Sequence, residues 1–202
     1  MLTALWIIVV IAVLAWAASN QMRQQRRRDQ TDDALAAAAA TGAPDALRQL
    51  ADRLTLGRPG DCQRVAAAAR RHLTNRMAPA CATGLAKGAK QVAEACATML
   101  GEIGAPGLRA AWSAYLAGAP EPGQGRLRAF LLRNPDWLSQ ELFHEWADAH
   151  GEGEPPHADL WRSTGLQQRL IALRDMGDPH VAPLAESLLE RLGVGQATSP
   201  KP

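Results

Sequence analysis

Residues 99–116 read MLGEIGAPGLRAAWSAYL and residues 172–189 read ALRDMGDPHVAPLAESLL. The two stretches align without gaps, pairing Leu100 with Leu173, Ile103 with Met176, Gly104 with Gly177, Pro106 with Pro179 and Leu116 with Leu189. Each predicts helix, tight turn, helix. The glycine can end the first helix in a left-handed conformation without steric strain, and the proline can start the second where its missing amide proton has no partner to lose. The same turn stands at Gly42-Ala43-Pro44, and a weaker form at Asn134-Pro135, between helices predicted from Arg126 to Arg133 and from Trp137 to Ala149. A further pair without the proline is predicted around Leu73-Thr74-Asn75, from Val65 to His72 and from Met77 to Leu85. The turns thus recur near 43, 75, 105, 135 and 178, and an insertion at 151–165, GEGEPPHADLWRSTG, accounts for the longer last interval.

Working outward, Ala and Leu dominate the composition and β-branched residues are scarce beyond the first twenty positions, which favours helix throughout. A helix begins near Thr31-Asp32-Asp33, where polar and acidic residues precede an alanine run to Ala40, and a second opens at Pro44-Asp45 with Leu47, Leu50 and Leu54 at helical spacing. One such pair cannot bury its apolar stripe alone, whereas stacked neighbours share a continuous core. An irregular helical bundle, with the Gly-x-Pro turns serving only as punctuation, is the alternative. The repeated residues resemble the HEAT-like repeats, in particular the short bacterial kind also found in phycobilin lyases, whose repeats carry a similar LGxIGDPxAVPxLxxxL pattern. The resemblance implies an all-α fold, a short α-solenoid of about five HEAT-like helix pairs over 31–193, and a face used for partner binding. It carries over no catalytic residue and no chromophore position.

From Ala4 to Ala18 every residue is apolar, with Trp6 and Trp16 near the ends. As a helix, about eighteen residues reach roughly 27 Å, close to the hydrocarbon thickness of a bilayer. The expectation is a single N-terminal transmembrane helix over 1–20. A cleaved secretory peptide is the rival, but no basic side chain precedes Leu5, whereas Arg23, Arg26, Arg27 and Arg28 follow the run. Positive flanks tend to stay cytoplasmic, which predicts a single-pass inner-membrane protein with a cytoplasmic domain, a basic juxtamembrane linker at 21–30, and contact of these four arginines with anionic headgroups. Residues 194–202 read as a disordered tail.

The formal net charge of +2 conceals a separation of signs. From Asp45 to Lys90 there are nine Lys/Arg against three Asp, and from Gln91 onward nine Lys/Arg against fourteen Asp/Glu. Arg64, Arg70, Arg71 and Arg76 form a basic stretch without interleaved aromatics, so nucleic acid is an unlikely partner. Cys62, Cys81 and Cys96 are too few and too irregularly spaced for a disulfide framework or a zinc knuckle, and read as small buried residues.

No phosphate-binding glycine loop and no nucleophile elbow occurs in the sequence. His144, Glu145, Asp148 and His150 cluster along one helix, but the two histidines fall on different faces, so no metal, cofactor or catalytic residue is assigned. His72, His157 and His180 stand isolated, in surface or capping roles. Trp112, Tyr115, Trp146 and Trp161 read first as core; any that are exposed would anchor a partner, with Trp161 in the insertion the best single candidate. The reading is a non-enzymatic, membrane-tethered scaffold or adaptor for a protein partner. The alternative is a membrane-bound enzyme or subunit with a polar site around His144, Glu145 and Asp148. The Arg- and Ala-rich composition, with three lysines, suits a bacterium of high genomic GC content.

Overall fold

A computed structural model describes residues 2–148 and 153–194, the side chains of residues 2–12 excepted. Among the described residues the chain is wholly helical between turns and divides into two compact units, 1–103 and 104–202. The division falls within the Met99–Leu116 helix pair, and the two units are described separately.

The first helix, α1, runs from Leu2 to Ala40 without interruption. The helix expected near Thr31 therefore has no separate start. No glycine or proline breaks the stretch 20–40, Gln25 donates to Asp29 one turn on, and Thr31 Oγ1 donates to the Arg27 carbonyl from within the helix instead of capping it. The expectation of a membrane-spanning anchor is corrected: among the described residues no helix is long and apolar enough to cross a membrane. Part of the apolar run at 4–18 lies outside the described side chains. Single-pass topology and inner-membrane placement rested on that span and fall with it.

In the first unit α1 is followed by α2 (Pro44–Leu56), α3 (Pro59–Arg71), a short 3-10 turn (Asn75–Met77), α4 (Ala78–Lys87) and α5 (Lys90–Ile103). Helices α1, α3 and α5 pack side by side in one row, α2 and α4 in a second, with α2 against α3 and α4 against α5 joining the rows. This two-row order follows from a core of small side chains: Ala36 and Ala39, Ala66, Ala68 and Ala69, Ala80 and Ala82, with Leu50, Leu54, Met99 and Leu100 filling the space between. Cys62, Cys81 and Cys96 are free and buried within it. The outer edges of the first row are clasped by polar pairs. Arg71 and His72 meet Asp33 at 3.0 Å each, joining α3 to α1, and Arg70 with Glu102 and Gln63 with Gln91 join α3 to α5. The Arg71 guanidinium and then the His72 ring hold the Asp33 carboxyl below the ordinary carboxylate range.

In the second unit α6 (Ala105–Leu116) packs on α7 (Gly123–Leu132), α7 on α8 (Pro135–Asp148), α8 on α10 (Thr164–Asp175) and α10 on α11 (Ala182–Arg191), while the single turn α9 (Ala158–Trp161) lies against α10. The predicted turns are present. Gly42, Gly104 and Gly177 have φ of 88°, 77° and 70°, the region that favours glycine. Pro44 and Pro106 stand in the first turns of their helices, but α11 begins beyond Pro179, at Ala182. There Asp178 Oδ1 accepts from the amides of His180 and Val181 and forms its own turn. The apolar correspondence between the two stretches does not carry into burial. Leu100 is buried and Leu173 half-buried, while Leu116 is exposed and Leu189 buried.

Candidate functional site: an arginine-lined cleft

The positions 27, 28, 31 and 32 lie along one side of α1, because residues three and four apart share a helix face. Because α1 runs on unbroken through this stretch, it delivers Arg27, Arg28, Thr31 and Asp32 to the junction where α2 ends and α3 begins. Arg53 comes from the last turn of α2, Arg58 from the link, and Asp61 and Arg64 from the start of α3. Together with Gly57 and Val65 these residues line a cleft of about 570 Å³.

The charges in the cleft are unbalanced. Five arginines face two carboxylates, and those carboxylates are already engaged. Arg64 Nη1 donates to Asp61 Oδ1 at 2.8 Å, and its Nε stands 3.6 Å from Asp29 Oδ1. That hydrogen bond holds the Asp61 carboxyl below its usual range, with the positive fields of Arg28 and Arg58 acting in the same direction, and it raises Arg64. Asp32 forms the floor, its side chain 3% exposed, between Arg53 Nη1 at 3.4 Å and Arg64 Nε at 3.5 Å. Its Oδ2 is buried and accepts no hydrogen bond. Arg27, Arg28 and Arg58 are exposed, and among the described residues none of them stands within ion-pair distance of a carboxylate. Their guanidinium forks are available for an external anion.

The aromatic residues singled out from the sequence are placed differently. Trp112, Tyr115, Trp146 and Trp161 are 5%, 8%, 0% and 0% exposed, so none presents an anchor surface and all four build the core of the second unit. The Trp146 indole N–H donates to the Leu184 carbonyl at 3.2 Å, and Arg191 lies over its ring. Trp161, in the insertion, is wholly buried because α9 is folded down onto α10.

The polar trio of α8 is not assembled. His144 and Asp148 are exposed, Glu145 lies 3.6 Å from the His157 ring, and His150 lies outside the described residues. Among the described residues no group of three His, Cys, Asp or Glu is placed to hold a metal ion. His157, read from the sequence as isolated, is instead a junction. Its imidazole sits edge-on to Trp112 at 5.0 Å and to Tyr115 at 6.2 Å, and its backbone is left-handed at φ 53°, rare for a residue with a Cβ. Beside it the Tyr115 hydroxyl donates to Asp159 Oδ2 at 3.4 Å, and Arg128 donates to the Asp159 carbonyl at 3.1 Å. These contacts hold the insertion against the body of the second unit. Burial, with the Asp159 charge, pushes the Tyr115 hydroxyl above its ordinary value, which keeps it a neutral donor.

Of the four arginines expected at a membrane, Arg27 and Arg28 line the cleft, whereas Arg23 and Arg26 do not. Sequence reading missed Arg53 and Arg58, and set Arg64 in a different grouping. The excess of basic residues between Asp45 and Lys90 was the only signal for them. Comparison with known protein families, characterised proteins and solved structures yields no match.

Proposed function

We propose that the chain is a non-catalytic adaptor that binds an acidic segment of a partner protein in the arginine-lined cleft of its first unit. The observation that carries this reading is the surplus of donors. Arg27, Arg28 and Arg58 surround a cleft whose own carboxylates are engaged by Arg53 and Arg64. The helices of the first unit stack in two rows, an arrangement that leaves surface open to a partner. A protein segment fits better than nucleic acid. The positive charge is confined to one cleft, Asp29, Asp32 and Asp61 are interspersed with it, and no aromatic ring lines it for base stacking.

The test is fluorescence anisotropy of a labelled Glu/Asp-rich peptide with the full chain. Binding is expected at low ionic strength, weakening steeply as salt screens the exposed guanidinium groups. The triple substitution Arg27→Glu, Arg28→Glu, Arg58→Glu is expected to abolish it while circular dichroism stays unchanged, since all three side chains are exposed. Undiminished binding by that variant, or no binding at low salt, would contradict the reading.

A further inference from the structure

The arginine cleft borders a second hollow of different chemistry. Positions 49, 52, 53 and 56 share one outer face of α2, turned away from the buried Ala46, Leu50 and Leu54. With Gly57 these residues line a hollow of about 410 Å³. Arg53 and Gly57 also line the arginine cleft, so the two depressions are continuous and share a wall. In this hollow stands Leu56, 82% exposed, more than any other large apolar side chain among the described residues. A single exposed leucine is ordinary on a protein surface. This one stands at the lip of a cation-lined cleft, where a segment bound in that cleft would cover it. The exposed Asp52 lines the same hollow, so the surface around Leu56 opposes acidic side chains while the adjoining cleft attracts them.

The backbone at Gly57 is extended, with φ −83° and ψ 172°. Leu56 and Arg58, on either side of it, are therefore roughly 7 Å apart along the chain. An extended partner segment presents side chains two residues apart on one face at the same spacing. Resting on the reading that the arginine cleft is the binding site, we infer that the partner's acidic run is bordered at one end by an apolar side chain, two residues beyond the last acid, that docks on Leu56. The acids meet Arg27, Arg28 and Arg58. The apolar side chain covers Leu56 beside Asp52, a place where a further acid would be repelled. Charge then brings acidic segments to the cleft, and the apolar contact decides which of them stay.

Fluorescence anisotropy of labelled peptides with the full chain tests this. The peptides share one Glu/Asp-rich run and differ only two residues beyond it: leucine on the amino-terminal side, leucine on the carboxyl-terminal side, serine on both, or aspartate on both. One of the leucine peptides is expected to bind more tightly than the serine and aspartate peptides by about tenfold, the effect of covering one leucine-sized side chain. That advantage should persist as added salt weakens binding of every peptide, because an apolar contact is not screened. Leu56→Ser should bring the leucine-to-serine ratio close to one, and Leu56→Met should keep it. Leu56 is exposed, so both variants are expected to retain the circular dichroism of the native chain. Equal binding of the leucine and serine peptides, or aspartate serving as well as leucine, overturns the apolar anchor and leaves the adaptor reading standing. An advantage that survives Leu56→Ser overturns its placement on α2. Self-association of the full chain that Leu56→Ser abolishes gives Leu56 to a second copy and overturns it as well. No binding by any of the peptides at low salt removes both the anchor and the adaptor reading.

Discussion

From Ala36 to Leu100 the buried side chains include no aromatic ring, whereas from Leu108 to Leu189 they include Trp112, Tyr115, Phe130, Trp146 and Trp161. The first unit is packed with alanine, cysteine and leucine, so its helices approach closely and its polar side chains reach across from one helix to the next. The second unit is built around large rings and held closed by an insertion folded onto them. A close-packed small-residue core fails when an atom is added, and a core of large rings fails when one is taken away. The difference also bears on the proposed binding site. The rings that the sequence offers as partner anchors are consumed in packing, whereas the arginine cleft of the first unit keeps exposed donors.

Trp146→Ala is the harshest test of the second unit. It removes a fully buried ring and its hydrogen bond to Leu184, and is expected to cost about 3–5 kcal/mol in chemical denaturation. A loss below about 1 kcal/mol, the range of tolerated core exchanges, would mean that the ring is not central.

Gly84→Ala tests the first unit by addition. The new Cβ would lie 2.5 Å from Cys96 Sγ and 3.4 Å from Leu54 Cδ1, and the overpacking is expected to cost about 1–3 kcal/mol. Adding Cys96→Ala should recover part of that loss, and a double mutant no better than Gly84→Ala would place the strain elsewhere.

A smaller effect separates backbone from ring at His157. Replacing it by Gly or by Ala removes the same contacts with Trp112 and Glu145, but only Ala keeps a Cβ at φ 53°. The Gly variant is expected to be the more stable by about 1 kcal/mol, read from the two denaturation midpoints; equal midpoints would show that the turn relaxes.

The gentlest effect concerns the thiols. Burial pushes Cys81 up to about 12 from 9.0, and pushes Cys96 upward as well, so both stay protonated in the folded chain. Groups whose pKa is raised by folding stabilise it below the unfolded value, and that contribution fades as pH climbs from 9.0 toward 12. Thiol-reactive dye should label neither residue at neutral pH before unfolding, and the loss of stability attributable to them should begin only above 9.0. Rapid native labelling would show an open path to the core.

Much of the helical plan was legible, because its signals are local. Gly42, Gly104 and Gly177 do adopt positive φ, and α2, α7 and α8 lie where spacing and turn residues predicted them. What was not legible depends on the third dimension. Gly104 and Gly177 share a turn, yet Leu116 and Leu189 share no burial, since a repeated turn constrains the backbone locally and leaves open which face is covered. Residues 21–30 read as a linker by their charge, yet they continue α1 because nothing in them breaks a helix. Asp32 reads as an ordinary first-turn acid, and only the approach of Arg53 and Arg64 from two other helices makes it the floor of a cleft. His157 becomes a junction only when the insertion brings it to Trp112.

Hydrogen exchange measured with and without a saturating acidic peptide tests most directly whether the first unit is the binding one. Slowed exchange confined to the stretches around Arg27 to Asp32 and Arg53 to Val65, and lost in the Arg27→Glu, Arg28→Glu, Arg58→Glu variant, is the expected result. Slowed exchange in α8 or around His157 instead, with the cleft unchanged, would contradict the assignment of partner binding to the first unit.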